Sequence, residues 1–173
     1  MIEQLLRTCA NFPNRRLAQA LRRAALASWH SSDKHACGAA VNGSSIARSG
    51  FTVLVVEDND RIRNSEAEAL ASCGYDVLTA INADVALQLL PQSPIDLVIT
   101  DVRLPGGMDG IALSQAVKKH WPDVKVMIVG ADVDQFSSED LHPIVDDRLK
   151  KPFKLSELQG RVAKLLDPKG AAK

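Results

Sequence analysis

Five short apolar runs, separated by segments of helical spacing, confine the chain between Phe51 and Asp167 to few folds. The runs are Val53–Val56, Tyr75–Ala80, Ile95–Thr100, Val124–Val129 and a more polar Val145–Leu149. Continuous apolarity suits strands buried on both faces. Between the first two runs, Ile62, Ala69/Leu70 and Cys73 repeat at helical spacing before a stop at Gly74. Asn82 is placed to cap a second helix whose inner face uses Val85, Leu89 and Leu90, closed by Pro91 and Pro94. Asp109 is placed to cap a third, with Leu113, Ala116, Val117 and His120 on one face and Pro122 ending it. After Gly130 the apolar residues thin to Val133, Phe136 and Leu141, and Pro143 restricts any fourth helix to a short or irregular one. Beyond Pro152, Leu155, Leu158, Val162 and Leu165 mark a final amphipathic helix. Such alternation predicts an α/β fold, a doubly wound five-stranded parallel sheet covered on both faces. Right-handed crossovers then place the carboxyl ends of all five strands on one edge.

Charge and composition narrow the function classes. The formal net charge is zero but unevenly spread: residues 1–50 hold seven Lys/Arg against two Asp/Glu, and residues 51–173 hold fourteen against nineteen. The acidic part lacks the basic face that nucleic acid needs, so no nucleic-acid partner is expected. No apolar run is long enough to span a bilayer. Cys9, Cys37 and Cys73 have no metal-ligand spacing, which points to reduced thiols and a cytoplasmic protein. Residues 1–50 form a basic N-terminal extension. It is weakly helical from Ile2 to Trp29, with Leu17 and Leu21 on one face, then a Gly/Ser/Asn-rich linker over 30–50. A surface-seeking helix, a docking segment and a poorly ordered appendage all fit it. Residues 168–173 are expected to be a disordered tail.

Chemistry gathers on the carboxyl edge. The first strand runs into Glu57 and Asp58, the third into Asp101, and the fifth into Lys151. Open sheets of this kind bind ligands in the crevice outside those ends. Carboxylates brought together resist ionisation unless a cation joins them, and a hard, oxygen-seeking ion such as Mg²⁺ suits the set. Carboxylate, Mg²⁺ and the Lys151 ammonium together are equipped to accept a phosphoryl group. Each residue also has a plain structural reading. Asp101 could cap a turn, Glu57 and Asp58 could open a helix, and Lys151 could be solvated beside Lys150. Their shared edge and spacing favour convergence.

The stretches VLVVEDN (53–59), DLVITDVRLPGGMDG (96–110) and LKKPF (149–153), in this order, resemble the receiver domains of two-component response regulators. The resemblance covers residues 51–167 and implies the CheY-like, flavodoxin-type strand order 2-1-3-4-5. It implies Asp101 as phospho-acceptor, phosphorylated by a histidine kinase or a histidine phosphotransfer protein. It also implies Mg²⁺ held by Asp58, Asp101 and the backbone carbonyl of Arg103, with Glu57 acting through water. Lys151 would pair first with Asp101 and then with a phosphoryl oxygen, and the Lys151–Pro152 bond would be cis. Such a domain is not an enzyme beyond Mg²⁺-dependent self-phosphorylation and autodephosphorylation.

Two positions depart from the family. Gly130 stands where receivers carry Thr or Ser, and Arg148 where they carry an aromatic residue, so both partners of the usual switch are absent. No output domain is recognisable after residue 167, so the expectation is a single-domain phosphorelay shuttle, phosphate sink or regulator of a downstream protein target. One alternative is a phosphorylation-independent interaction module with a decayed switch. Another, an aspartate-nucleophile phosphohydrolase, needs a DxD signature followed by Thr, and VVEDND lacks that Thr.

Overall fold

Strands that are apolar on both faces need cover on both faces, and the computed structural model, which describes residues 50–137, 141 and 143–166, provides it. Strands β1 (Thr52–Val56), β2 (Asp76–Ala80), β3 (Leu97–Asp101), β4 (Lys125–Gly130) and β5 (Asp147–Lys150) form one sheet in the order β2-β1-β3-β4-β5. All four pairings are parallel. The helices are α1 (Asp60–Ser72), α2 (Ala83–Leu89), α3 (Gly110–His120) and α4 (Leu155–Leu166). Successive strand residues point to opposite faces, so Leu54, Val56 and Val98 pack with Ala86, Leu113 and Val117 of α2 and α3. Val53, Val55 and Ile99 pack with Leu70, Leu158 and Val162 of α1 and α4. Each fully buried Leu or Ile contributes about 1.5–3 kcal/mol.

Polar side chains set the ends of these elements. Asn59 Oδ1 accepts from the Arg61 and Ile62 N–H groups, Asn82 Oδ1 from Val85 and Asp109 Oδ1 from Ala112, capping α1, α2 and α3. Gly74, at φ 87°, supplies the left-handed turn that ends the α1 segment. The polar fifth strand is held by its charges. Asp146, just before β5, accepts from Lys118 Nζ at 2.5 Å, Lys125 Nζ at 2.9 Å and the Val126 N–H at 2.9 Å. Asp147 accepts from Arg161 at 2.8 Å, tying β5 to α4.

Several sequence expectations need correction. Helix α2 buries Ala83 and Ala86 beside the expected Leu90, and the expected Val85 and Leu89 pack half-buried against the same core. In α3, His120 is exposed, Ala116 is half-buried and Ser114 is fully buried, its hydroxyl donating to the Gly110 carbonyl at 2.7 Å. In α1, Ile62 and Cys73 are exposed, and the buried residue beside Leu70 is Glu66. The third strand begins at Leu97 rather than Ile95, and the fifth at Asp147 rather than Val145. Between β4 and β5 the described residues form a 3-10 turn, Val133–Gln135, with Leu141 buried against Val102, Ile128 and Val133. The extension, with Cys9 and Cys37, and the tail at 168–173 lie outside the described residues. Among the described residues no helix is long and apolar enough to cross a membrane.

The join between β3 and α3 is the tightest point of the frame. A Cβ on Gly110 would lie 1.9 Å from the Asp101 carbonyl oxygen, and the Gly110 N–H donates to the Val102 carbonyl at 3.0 Å. Gly110→Ala should therefore cost at least about 1–3 kcal/mol through overpacking. Urea unfolding should show a lowered midpoint with unchanged slope, and an unchanged midpoint would refute the close approach.

Candidate functional site

Four crossovers deliver Glu57, Asp101 and Lys151 to one place at the carboxyl edge. Lys151 Nζ donates to Glu57 Oε2 at 2.6 Å and to Asp101 Oδ2 at 2.5 Å. The lysine is aimed by its backbone: its N–H donates to the Gly130 carbonyl at 3.0 Å, and the Lys151–Pro152 bond is cis, as the resemblance implied. Glu57 is 3% exposed and its Oε1 accepts from the Asn59 N–H at 3.2 Å. Asp101 Oδ1 accepts from the Arg103 N–H at 3.0 Å. Arg63 braces the β1–α1 turn by donating to the Glu57 carbonyl at 2.8 Å.

Burial and pairing oppose each other here. Burial pushes the Glu57 carboxyl above its usual value, an effect that the bond from Lys151 only partly offsets. Burial alone would lower Lys151, but its bonds to Asp101 and Glu57 outweigh it and hold the ammonium above its usual range. Asp58 is exposed to solvent, and its carboxylate has no hydrogen-bond partner among the described residues. Of the four side chains expected to converge, three are joined and Asp58 stands beside them unjoined. Among the described residues, no three His, Cys, Asp or Glu side chains make a metal cluster unaided.

Next to this triad is a crevice of about 360 Å³ lined by Asp101, Val102, Arg103, Gly130, Ala131, Asp132 and Lys151. Arg103 and Asp132 form an ion pair, joining the loops that follow β3 and β4. The Val102 side chain fills the space beside Gly130: a Cβ built there would lie 3.0 Å from Val102 Cγ2 and 3.1 Å from its Cβ. Arg148 is half-buried, and its guanidinium donates to the Phe136 carbonyl at 3.2 Å.

Sequence reasoning passed over Glu66. It is 3% exposed on the inner face of α1, one turn from Leu70, and its Oε1 is buried with no hydrogen-bond partner. Burial pushes this carboxyl up to about 7; the Lys151 charge pulls it down in part, while Glu57 and Asp101 push it further up. It lines a second cavity, of about 580 Å³, together with Ile62, Lys151, Pro152, Phe153 and Leu155. The signal available in the sequence was its helical spacing, four residues before Leu70 and four after Ile62, which reliance on apolar type concealed.

Residues 53–163 match the family described as the response regulator receiver domain. The chain is 32% identical over 119 residues to the response regulator receiver protein CpdR of Brucella abortus, covering 66% of this chain and 95% of that one. It is 35% identical over 119 residues to the sensor kinase CckA of the same organism, covering 67% of this chain but 12% of the kinase. The solved receiver domain of the Francisella response regulator 1452 superposes with a TM-score of 0.63 at 30% identity, covering 68% of this chain and 98% of that one. The chain spans less than half the length of several curated relatives, reaching 48% of YrkP from Bacillus subtilis.

Two measurements test the site's energetics. A carboxyl raised in the fold from an ordinary 4.5 to about 7 keeps its proton when the unfolded chain has lost it. Its cost is absent below about pH 4.5, grows as pH rises and is complete above about pH 7, where it reaches roughly 3 kcal/mol. Glu66→Leu should therefore raise the melting temperature at pH 8 and leave it little changed at pH 4.5; an equal gain at both would refute the raised value. Gly130→Thr should destabilise by about 1–3 kcal/mol, and Val102→Ala in the same chain should recover much of that loss. Thermal melts in which the double variant is no better than Gly130→Thr would show that the crowding lies elsewhere.

Proposed function

This chain belongs to the family of response regulator receiver domains, and we propose that within it Asp101 accepts a phosphoryl group from a histidine kinase or a histidine phosphotransfer protein. The observation that carries the reading is the Lys151 ammonium bonded to both Asp101 and Glu57 beside an open crevice. An Asp101 carboxylate oxygen attacks phosphorus, a P–O bond forms, and the P–N bond to the donor histidine breaks. Its electron pair stays on the imidazole nitrogen, leaving a neutral ring once protons balance. Lys151, already within reach, exchanges its bond to Asp101 for one to a phosphoryl oxygen and offsets the arriving charge.

Receiver domains as a family bind Mg²⁺, and the donors here fit it. Asp58 offers a solvent-exposed carboxylate without a hydrogen-bond partner among the described residues, Asp101 a second carboxylate, and Arg103 a backbone carbonyl oxygen. Those three would hold the ion, with Glu57, committed to Lys151, acting from behind through water. Bound there, Mg²⁺ would neutralise charge on the phosphoryl oxygens.

The likeness to CpdR over 95% of its length supports a receiver that works through other proteins, as shuttle, sink or regulator of a downstream target. The likeness to CckA supports placement in a kinase-driven phosphorelay. Cytoplasmic location is part of the same reading, and the exposed, unpaired Cys73 thiol suits a reducing compartment. The second reading, an interaction module independent of phosphate, draws on Val102 filling the space beside Gly130. With Mg²⁺ and acetyl phosphate, intact-mass spectrometry should show one labile phosphoryl adduct, absent in Asp101→Asn and absent without Mg²⁺. No adduct in the wild type would favour the interaction module, and an adduct that persists in Asp101→Asn would move the acceptor elsewhere.

A further inference from the structure

Lys151 has three N–H donors, and Glu57 and Asp101 take two of them. The cavity between α1 and the loop after β5 is lined by Lys151 on one side and by Glu66 on another, and Glu66 Oε1 is buried without a partner. A carboxyl so placed is close to the only ammonium of the acceptor cluster, yet spends its own hydrogen-bonding capacity on nothing described. We propose that Glu66 is a positioning residue for the Lys151 ammonium, and that the proton it gains or loses sets how readily Asp101 accepts a phosphoryl group. The proposal rests on the phosphoryl-acceptor reading of Asp101.

Three carboxyl groups compete for a single cation. When Glu66 is ionised, Glu57, Asp101 and Glu66 share Lys151, and the third donor is drawn toward α1. When Glu66 is protonated, Lys151 is held by the acceptor side alone and is free to follow the phosphoryl group. The incoming phosphoryl group also adds negative charge, which an ionised Glu66 opposes across a low-dielectric interior. Both effects have the same sign: protonation of Glu66 favours phosphorylation, and phosphorylation favours protonation of Glu66. Reciprocity of this kind is required by linkage.

The other groups near Glu66 leave this competition intact. Glu57 comes from the end of β1, Asp101 from β3 and Lys151 from the loop after β5, and these are the charges that act on it. Helix α4 packs against α1 through Gln159, a neutral amide that donates to the Ala69 carbonyl at 2.7 Å. Strand β2 contributes no group to the cavity, and Arg61 of α1 is the other charged residue lining it. Arg63 of the same helix is bound to the Glu57 carbonyl and to Asp60. Burial, with Glu57 and Asp101 adding to it, holds the Glu66 carboxyl at about 7, so the exchange would fall near neutral pH.

The test is the pH profile of beryllofluoride affinity, with beryllofluoride standing in for the phosphoryl group on Asp101, in wild type, Glu66→Gln and Glu66→Leu. Between about pH 6 and pH 8 the wild type should lose about fivefold in affinity, the larger part of the tenfold limit that one unit of coupled pKa sets. Both variants should be flat over that range, and Glu66→Gln should match the wild type's low-pH plateau. Glu66→Leu restores an apolar side chain to the α1 interior and keeps the test open if Glu66→Gln folds poorly. Parallel profiles in all three proteins would overturn the role of Glu66 while leaving Asp101 as acceptor. Absence of binding in every protein at every pH would overturn the acceptor reading and this proposal with it.

Discussion

Two carboxylates from different strands meet one ammonium at 2.6 and 2.5 Å, and the carboxyl edge of the sheet depends on that meeting because Glu57 is almost wholly buried. An unpaired carboxylate at that depth would be neutralised or would unfold the edge. Lys151 is the described residue that compensates it, and the lysine reaches Glu57 from the loop after β5, across the ends of β4 and β3. The pairing therefore couples chemistry to topology: β1, β3 and β5 must all be in register for the cluster to be tolerable. Removing one member would leave the others buried and uncompensated, which costs far more than the pair contributes while intact. The tie from Lys151 N–H to the Gly130 carbonyl and the bonds around Asp146 hold β5 in that register.

The crevice beside this cluster is shaped by what Gly130 lacks. Without a side chain there, Val102 moves into the space and joins Ile128, Val133 and Leu141 in a small apolar layer. That layer links the loop after Asp101 to the segment after β4 by packing alone. Arg148 meanwhile bonds the Phe136 carbonyl, so the segment is fixed by a backbone contact rather than by a buried ring. A group added to Asp101 can shift a neighbouring element only by interacting differently with its two states. Here no hydroxyl at position 130 can close on a phosphoryl oxygen. Val102 and the Arg103–Asp132 pair are contacts that join the loop after Asp101 to the segment after β4.

How much of this was legible follows the kind of signal each residue sends. The five strands were readable because apolar runs between turn signals have few other uses, and the caps at Asn82 and Asp109 because their side chains replace missing backbone partners. The convergence of Glu57, Asp101 and Lys151 was readable once crossovers of fixed hand put strand ends on one edge. Helix faces were less legible. In α2 the alanines are the fully buried residues and the larger Val85 and Leu89 are half-buried against the same core, a difference that a local pattern does not encode. His120 fell on the expected face by periodicity, yet the helix end leaves it in solvent. Crowding of Gly130 by Val102 is a contact between the residue after β3 and the end of β4, and no reading of either segment alone contains it.

Glu66 is where the sequence and the fold disagree most, and the disagreement is informative. Its position on α1 faces the same interior as Leu70, where an apolar side chain would add packing and remove a buried, partly unpartnered carboxyl. Residues that lower stability in a well-packed core are the ones whose placement asks for a reason beyond folding. The reason with physical content is proximity to Lys151, because a carboxyl held near neutrality changes charge over the range in which the ammonium beside it does not. The stability cost and the proposed control of the acceptor are then one property seen twice. The burial that makes ionised Glu66 expensive in the fold is what makes its charge strongly felt by the cluster next to it.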